Sequence, residues 1–564
     1  MKSFFQDLEV NKTGDIVCFK MHDLMHDLAR SIAGTDCCLH CEGETISGKP
    51  MHISFEANVI PSLDLADVNK VRTILWPGKQ NWKLAMARLV KEPQAISNLK
   101  RLRVLDLSMS SITELPKSIA CGRLEFSIDA ITKLINLRHL MIDSCKAFQG
   151  MMPFGLGKLT SLHYLSTFRV GHDDGDRKSA KLNELKEIND LRHELCIKNL
   201  DRVRDVEEEA KDVNLRGKEH LWSLDLSWTP GTKKDNDTDS VLLEMLCPNK
   251  NLKQLSLDYF PGVRVASWFS SLTNIVQMTF FGCVNCQRLP PLEQLPSLKY
   301  LSMNGMDSLQ YIEYDEIPTG TSMLEDLNIY NCPNLKGWKK RMLANEDDVI
   351  ELPPFPRLSL LTIRRCRNLT RMPKFPHLVE ELVLGSCSVE PLIETILGDG
   401  SSSTAPLSAL KYMRIHDIQT EALPEDWMQN LTCLQRLEVV GIPSLQHMQH
   451  LPHEASLQEL LIREMGDNLD CQFLPCIDSL QTLTISHCNN LEELPQWICS
   501  FPQLRLLYIH YCRRIGLLPE AISSLPNLYT LEIVGCPLLH GRCNKETGAD
   551  WHKIAHISLI SLND

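Results

Sequence analysis

Cys37, Cys38, His40 and Cys41 crowd into one short stretch, and Cys283 and Cys286 stand at Cys-x-x-Cys spacing. Thiolates and imidazoles are ligands for soft metals. Zinc, however, needs four of them in a tetrahedron; consecutive Cys37 and Cys38 do not easily reach one ion, and Cys283 has no second pair. Packing is the expected role of both groups, and no metal site is expected. Arg364, Arg365, Arg367 and Arg371, with Lys339, Lys340 and Arg341 before them, form a basic island suited to a phosphate or an acidic partner. Asp315, Glu316, Glu346 and Asp347 would balance it as an ordinary solvated face. Lys49 follows a glycine-bearing stretch but precedes Pro50, so no G-x-x-x-x-G-K-S/T loop forms there. H-E-x-x-H, G-x-S-x-G and kinase signatures are also missing. No catalytic residue is expected, and the chain does not read as an enzyme.

The elements that must carry these residues follow from a leucine ladder. Leu434, Leu457, Leu480, Leu504 and Leu528 each open an L-x-x-L-x-I-x-x-C-like segment, at a step of roughly 24 residues. The sharpest copies are Leu480-Leu483-Ile485-Cys488, Leu504-Leu507-Ile509-Cys512 and Leu528-Leu531-Ile533-Cys536. Such a step fits one short strand and a return loop, a unit that cannot bury its apolar edge without stacked neighbours. The expected fold is an α/β solenoid: a curved leucine-rich repeat horseshoe with a parallel β-sheet on its concave face, preceded by a short helical, winged-helix-like remnant.

Three zones are expected. Residues 1–50 hold the remnant, in which Met21, Leu24, Met25, Leu28 and Ile32 keep helical spacing up to a C-capping Gly34, with one face buried against something. Residues 51–250 hold irregular repeats, with strands near Val71–Leu75, Leu102–Ser108 and Leu137–Ile142. Polar insertions at Gly171–Lys178, Asp201–Asp212 and Gly231–Ser240 are expected to be solvated loops. Residues 251–564 hold regular repeats, interrupted by the Gly/Ser-rich stretch Gly398–Ala405, and a C-terminal cap. Leu-Pro pairs such as Leu289-Pro290, Leu423-Pro424, Leu494-Pro495 and Leu518-Pro519 belong on the return side, because proline has no donor for a ladder.

Alternation along a strand then selects the free face. With Leu483 and Ile485 inward, Thr482, Thr484 and Ser486 point out, and the same columns hold Arg436, Glu438, Arg463, Tyr508, His510 and Glu532. Mixed charge around an aromatic centre suits protein recognition, where Tyr and Arg tend to carry binding energy.

Composition agrees with a soluble folded chain: 43% hydrophobic and 23% charged residues, with a net charge of -12 that speaks against nucleic acid as a partner. The N-terminus does not read as a signal peptide. Val265–Gln287 is uncharged but broken by polar residues, so no membrane span is expected. Of the 21 cysteines, Cys283, Cys332, Cys366, Cys387, Cys488, Cys512 and Cys536 fall at the ninth repeat position, where a small inward thiol packs. Reduced thiols and a cytoplasmic location are the expectation, with the sequons at Asn11, Asn236, Asn368 and Asn430 unmodified.

At this point the residues resemble a known family. Phe19-Lys20-Met21-His22-Asp23-Leu24-Met25-His26-Asp27-Leu28-Ala29 is similar to the Met-His-Asp motif that closes the nucleotide-binding (NB-ARC) domain of plant intracellular immune receptors of the coiled-coil type. Gly157–Leu162, Leu224–Trp228 and the closing Gly548–Ile557 also resemble that family. The resemblance implies a leucine-rich repeat module of a plant defence protein. Its partners would be a pathogen effector or guarded host protein and its own missing NB-ARC domain. In the family the motif histidine lies near the phosphates of ADP; that role would fall on His22, flanked by Met21 and Asp23. The family binds ADP or ATP, yet no P-loop precedes the motif here, so no cofactor is expected for this chain alone. Ser118-Ile119-Ala120 runs through Cys121–Phe126 into Ile131–Leu137 where the family has further repeats, so a kink or frayed stack is expected there. The alternative is a substrate-recognition subunit of a ubiquitin ligase, which would need an F-box-like domain that residues 1–50 do not supply. An extracellular receptor would need a signal peptide and Gly-x-Ile-Pro turns, which are not seen.

Overall fold

The computed structural model describes residues 4–10, 16–40, 50–55, 70–75, 100–106, 108, 128–143, 152–171, 179–231, 236–314, 323–340, 352, 355–397, 405–418, 423–442, 449–452, 456–464 and 476–563. The suspected junction at Ser118–Phe126, Cys41, and most of the Gly171–Lys178 and Gly398–Ala405 stretches lie outside them. The chain divides into two compact units, Met1–Cys286 and Gln287–Asp564.

The first unit opens with an antiparallel pair, Phe5–Val10 against Ile16–Met21. The helix Asp23–Ala33 follows, with His22 as N-cap and Gly34, at φ 50°, as the C-cap that the sequence predicts. Its apolar spacing is real but nothing covers it among the described residues: Leu24 is 73% and Ile32 77% exposed. Parallel pairing then begins. Cys37–His40, His52–Phe55, Thr73–Leu75, Val104–Asp106, His139–Met141 and Tyr164–Leu165 pair in chain order. A second run contains Thr167–Arg169, His193–Lys198, Leu221–Ser227, Gln254–Asp258 and Gln277–Phe281. Cys37 through His40 thus form a strand, and no metal-holding group of His, Cys, Asp or Glu occurs among the described residues.

One insertion expected as a solvated loop, Asp201–Asp212, is instead packed, and the described end of another, Asn236–Ser240, is helical with Asp239 buried. Asp205 caps a short helix, Val206–Ala210, through Oδ1 to the Glu208 amide at 2.9 Å, and Val206, Glu209 and Ala210 are buried. Asp201 is buried beneath it and accepts the Thr229 amide at 2.8 Å. Beyond residue 235, Asn236–Met245 is a helix whose Asp239 accepts the indole N–H of buried Trp228 at 2.8 Å. Val206, Ala210, Leu242 and Leu243 supply the apolar anchors that turn these acidic stretches inward.

The second unit is the regular one. Tyr300–Asn304, Asp326–Tyr330, Leu360–Arg364, Glu381–Gly385, Tyr412–His416, Arg436–Val440, Glu459–Arg463, Thr482–Ser486, Leu506–His510, Thr530–Val534 and Leu559–Asn563 pair in parallel, each with the next. Register puts Leu437, Leu460, Leu483, Leu507 and Leu531 in one row and Val439, Ile462, Ile485, Ile509 and Ile533 in another, all fully buried. Thus each unit is a leucine-rich repeat solenoid with a parallel sheet along one side. The closing strand Leu559–Asn563 was not read from the ladder, because it lacks the leucine opening of the repeats. Pro495 and Pro519 precede 3-10 turns at Gln496–Ser500 and Glu520–Ser524, on the return side where proline belongs.

The ninth-position cysteines are free and buried. Burial pushes the Cys387 thiol up to about 12 and raises that of Cys283, so both keep the proton they donate. Cys536 shows the device best: its sulfur approaches the Val534 carbonyl at 3.4 Å and that of Ile509 at 3.6 Å, and accepts the Cys512 amide at 3.2 Å. The thiol therefore links neighbouring coils as a polar group as well as filling space. Cys536→Ala should cost ~1–3 kcal/mol by orphaning the Cys512 amide, and Cys536→Ser should cost less because the hydroxyl keeps donor and acceptor. Urea unfolding of both variants checks this; equal losses would make the thiol a mere space filler.

Candidate protein-recognition face

Because Leu437 and Val439 are inward, Arg436, Glu438 and Val440 take the other face of their strand, and the register repeats this from coil to coil. The centre row runs Arg414, Glu438, Leu461, Thr484, Tyr508 and Glu532. The sequence-predicted residues Arg436, Glu438, Arg463, Tyr508, His510 and Glu532 all lie on this face, but they do not play equal parts.

Glu438 is the most enclosed of the six: only 4% of it is exposed. Its Oε1 lies 3.5 Å from the Arg414 guanidinium and 3.7 Å from that of Arg463, and Oε2 accepts the Tyr412 hydroxyl at 3.0 Å. A carboxylate so enclosed needs these partners, since an unpaired buried charge is costly. Arg463 is held a second time, donating through Nε to Ser486 Oγ at 3.0 Å. Glu438 is a positioning residue that fixes two half-exposed guanidinium groups in place. Burial, then the adjacent Glu438 carboxylate, pushes the Tyr412 hydroxyl up to about 12, so it remains a donor. Arg436 lies over the Tyr412 ring at 5.4 Å and approaches Glu459 at 3.4 Å. Further along, His510 Nε2 stands 3.1 Å from Glu532, and its ring lies 5.8 Å from that of Tyr508. The result is a pre-set array of planar cations and aromatics, which loses little freedom on contact with another macromolecule.

Tyr412 and Arg414 were missed in the sequence. The cue was present: Leu410 stands one repeat step before Leu434, and the same alternation puts both residues on the free face.

Of the basic island, Arg364 ends the strand Leu360–Arg364, while Arg365 and Arg367 are exposed in the turn that follows. Arg365 has φ 55°, a left-handed conformation shared by Asp417, Glu464, His487 and Tyr511 at the equivalent position, so it belongs to the coil geometry. Arg341 and its acidic counterparts Asp315, Glu316, Glu346 and Asp347 lie outside the described residues. At the other end of the chain, His22 caps the helix, its Nδ1 accepting the Leu24 amide at 3.3 Å. Met21 ends the preceding strand and Asp23 is the first helical residue.

Among known proteins, residues 182–306 match the model of the family described as R13L1/DRL21 LRRs. The chain is similar to the disease resistance protein RGA1 of Solanum bulbocastanum, 32% identical over 79% of this chain and 44% of that protein. It is also similar to RGA4 of Solanum bulbocastanum, 30% identical over 100% of this chain and 54% of that protein. The chain therefore spans about half the length of the curated relatives it matches. A solved structure of the TLR13-ssRNA13 complex matches 91% of this chain and 81% of its own at 15% identity and a TM-score of 0.44. Among the described residues no helix is long and apolar enough to cross a membrane.

Proposed function

The chain belongs to the plant disease resistance proteins of the nucleotide-binding leucine-rich repeat family, and from that premise we propose that its second unit recognises a pathogen effector or a guarded host protein. The observation that supports this best is the pre-set group Tyr412, Arg414, Arg463 and Glu438, continued by Tyr508, His510 and Glu532 on one sheet face. Ligand contacts there would switch the receptor only by favouring one arrangement of it over another, which requires unequal affinity for the two. Docking of the repeats against the nucleotide-binding domain, in the cytoplasm, is the natural second arrangement.

The Met21-His22-Asp23 segment is proposed as the family's phosphate-sensing corner. The residues fit such a group in part. His22 spends Nδ1 on the Leu24 amide, leaving Nε2 as the nitrogen for an anion at a helix start that favours negative charge. ADP, when bound, would supply that anion, and His22 would orient against it while capping the helix.

The test is a paired variant. Arg463→Glu with Tyr508→Ala should abolish the pathogen-triggered defence response in plant tissue expressing the whole receptor. Loss of two central anchors weakens binding by ~30-fold or more each. Circular dichroism and melting of the variant must match the parent chain. A response retained by a correctly folded double variant overturns the assignment of this face.

A further inference from the structure

Among the described residues the strand Leu559–Asn563 forms an edge of the second unit's sheet, paired on one side with Thr530–Val534 and open on the other. Leu559 donates its amide to the Tyr529 carbonyl at 2.9 Å, and the Asn563 carbonyl accepts the Gly535 amide at 3.0 Å. Both residues therefore turn their backbone groups toward Thr530–Val534, and by alternation so does Ser561. Ile560 and Leu562 turn theirs outward, away from the sheet. Such an edge is a template for a further strand, and native chains blunt it with lysine, proline or a bulge. Leu559-Ile560-Ser561-Leu562-Asn563 has no charge and no proline, and its register with Thr530–Val534 runs without a shift.

The core is open at the same place. Ile560 continues the buried row of Leu531, and Leu562 that of Ile533. Leu531 and Ile533 are fully buried, whereas Ile560 and Leu562 are only half-buried. Exposed apolar side chains gather at this end as well. Among the described residues of the second unit, the large ones are Leu397 and then Tyr511, Leu517, Tyr529, Leu538 and Leu559. Tyr529, Leu538 and Leu559 are each more than half exposed.

The edge is complementary to itself. A two-fold axis through Ser561, perpendicular to the sheet, sets an antiparallel copy with Ile560 opposite its Leu562 and Leu559 opposite its Asn563. Ile560 and Leu562 have free amides and carbonyls, so each such pair exchanges both hydrogen bonds. The same pairs lie on the core side, so each copy covers the open apolar rows of the other. No like charges meet. A slip by one residue would set Ile560 or Leu562 against residues whose backbone groups are already spent, so that register is excluded.

We propose that this edge is a self-association site: two copies of the chain join antiparallel through Leu559–Asn563 and extend the sheet across a two-fold axis. The proposal does not rest on what the sheet face recognises.

Sedimentation velocity of the full chain across the micromolar range should show reversible growth from one chain to two. Over the same range the Ile560 and Leu562 amides should become protected from hydrogen exchange. Two double variants test the register, Leu559→Lys with Asn563→Lys and Leu559→Glu with Asn563→Glu. Both positions are exposed, and their partners in the sheet, Thr530 and Val534, are uncharged. Each variant alone should associate at least roughly tenfold more weakly, because like charges meet across the axis. An equimolar mixture of the two should recover the dimer, with circular dichroism of each matching the parent. A chain that stays single with freely exchanging Ile560 and Leu562 amides overturns the proposal. A single chain in which those amides resist exchange overturns it too, since another stretch of the same chain then covers the edge. Association in both charge variants equal to the parent, or a mixture no stronger than either variant, places the contact elsewhere and also overturns it.

Discussion

Asp550→Asn should unfasten the last coil of the second unit, with a loss of about 3–5 kcal/mol as expected for breaking a buried ion cluster from one side. Asp550 is 1% exposed and lies between two cations. Arg542 reaches it through two nitrogens at 2.8 and 3.0 Å, and Lys553 Nζ approaches at 3.1 Å. Lys553 also donates to the Leu518 carbonyl at 2.9 Å and meets Glu520 at 2.8 Å, tying the closing helix to the previous coil. An asparagine leaves the buried Lys553 ammonium with one of its two carboxylate partners gone.

The pH dependence has a definite sign. Burial alone would raise the Asp550 carboxyl, but Arg542, Lys553 and the Leu518 amide outweigh it and hold it down to about 2. The unfolded chain titrates near 3.8, so the group's contribution is whole above that value and fades as pH falls through about 2. It amounts to at most ~2.5 kcal/mol, and less where solvent screens the partly exposed Arg542. Hydrogen exchange of the Leu559–Asn563 amides reads the effect directly, because that strand pairs only with Thr530–Val534 among the described residues. Exchange in Asp550→Asn indistinguishable from the parent would mean the cap is held by apolar packing alone.

How much of this could be read from residues alone depends on the range of the interaction. Leu483, Ile485 and Cys488 announce their burial by spacing, because one strand and the next coil decide it. The outward columns followed from the same alternation, and Arg463, Tyr508 and His510 stand where it put them. Glu438 looked like its exposed neighbours because its burial comes from Tyr412, Arg414 and Arg463, which arrive from one coil before and one after. Val206–Ala210 was hidden by its own glutamates: charge suggested solvent, while the anchors Val206 and Ala210 and the Asp205 cap decided the outcome.

Lys218 gives the second large effect: here burial disfavours the charged form, where at Asp550 the partners favour it, and stability again rises with pH, in a higher window. This lysine is fully buried, with Nζ donating to the Leu185 carbonyl at 2.9 Å and the Ile188 carbonyl at 2.7 Å. Those carbonyls close the 3-10 segment Leu182–Glu187, so the ammonium caps it from the following coil. Burial pulls the group down to about 8 from 10.5. Between those values the unfolded chain holds more protons than the folded one, so stability must rise with pH across that window, by a total of ~3 kcal/mol. Below about 8 the group is protonated in both states and contributes no slope. Lys218→Met removes the ionisation and the slope with it. At neutral pH the variant loses two hydrogen bonds but also the cost of burying a charge, so the two should nearly cancel. At pH 10, where the parent has gained most of its increment, the variant should fall behind by ~2–3 kcal/mol. Urea unfolding at pH 7 and pH 10, compared between parent and variant, isolates this one group from every other that titrates. A rise of the same size in Lys218→Met would assign it elsewhere. Sequence gave no hint of this residue, which sits in the charged run Arg216–Glu219; only the turn Asn214–Gly217, closed by the Asn214 side chain on the Gly217 amide at 3.2 Å, aims it inward.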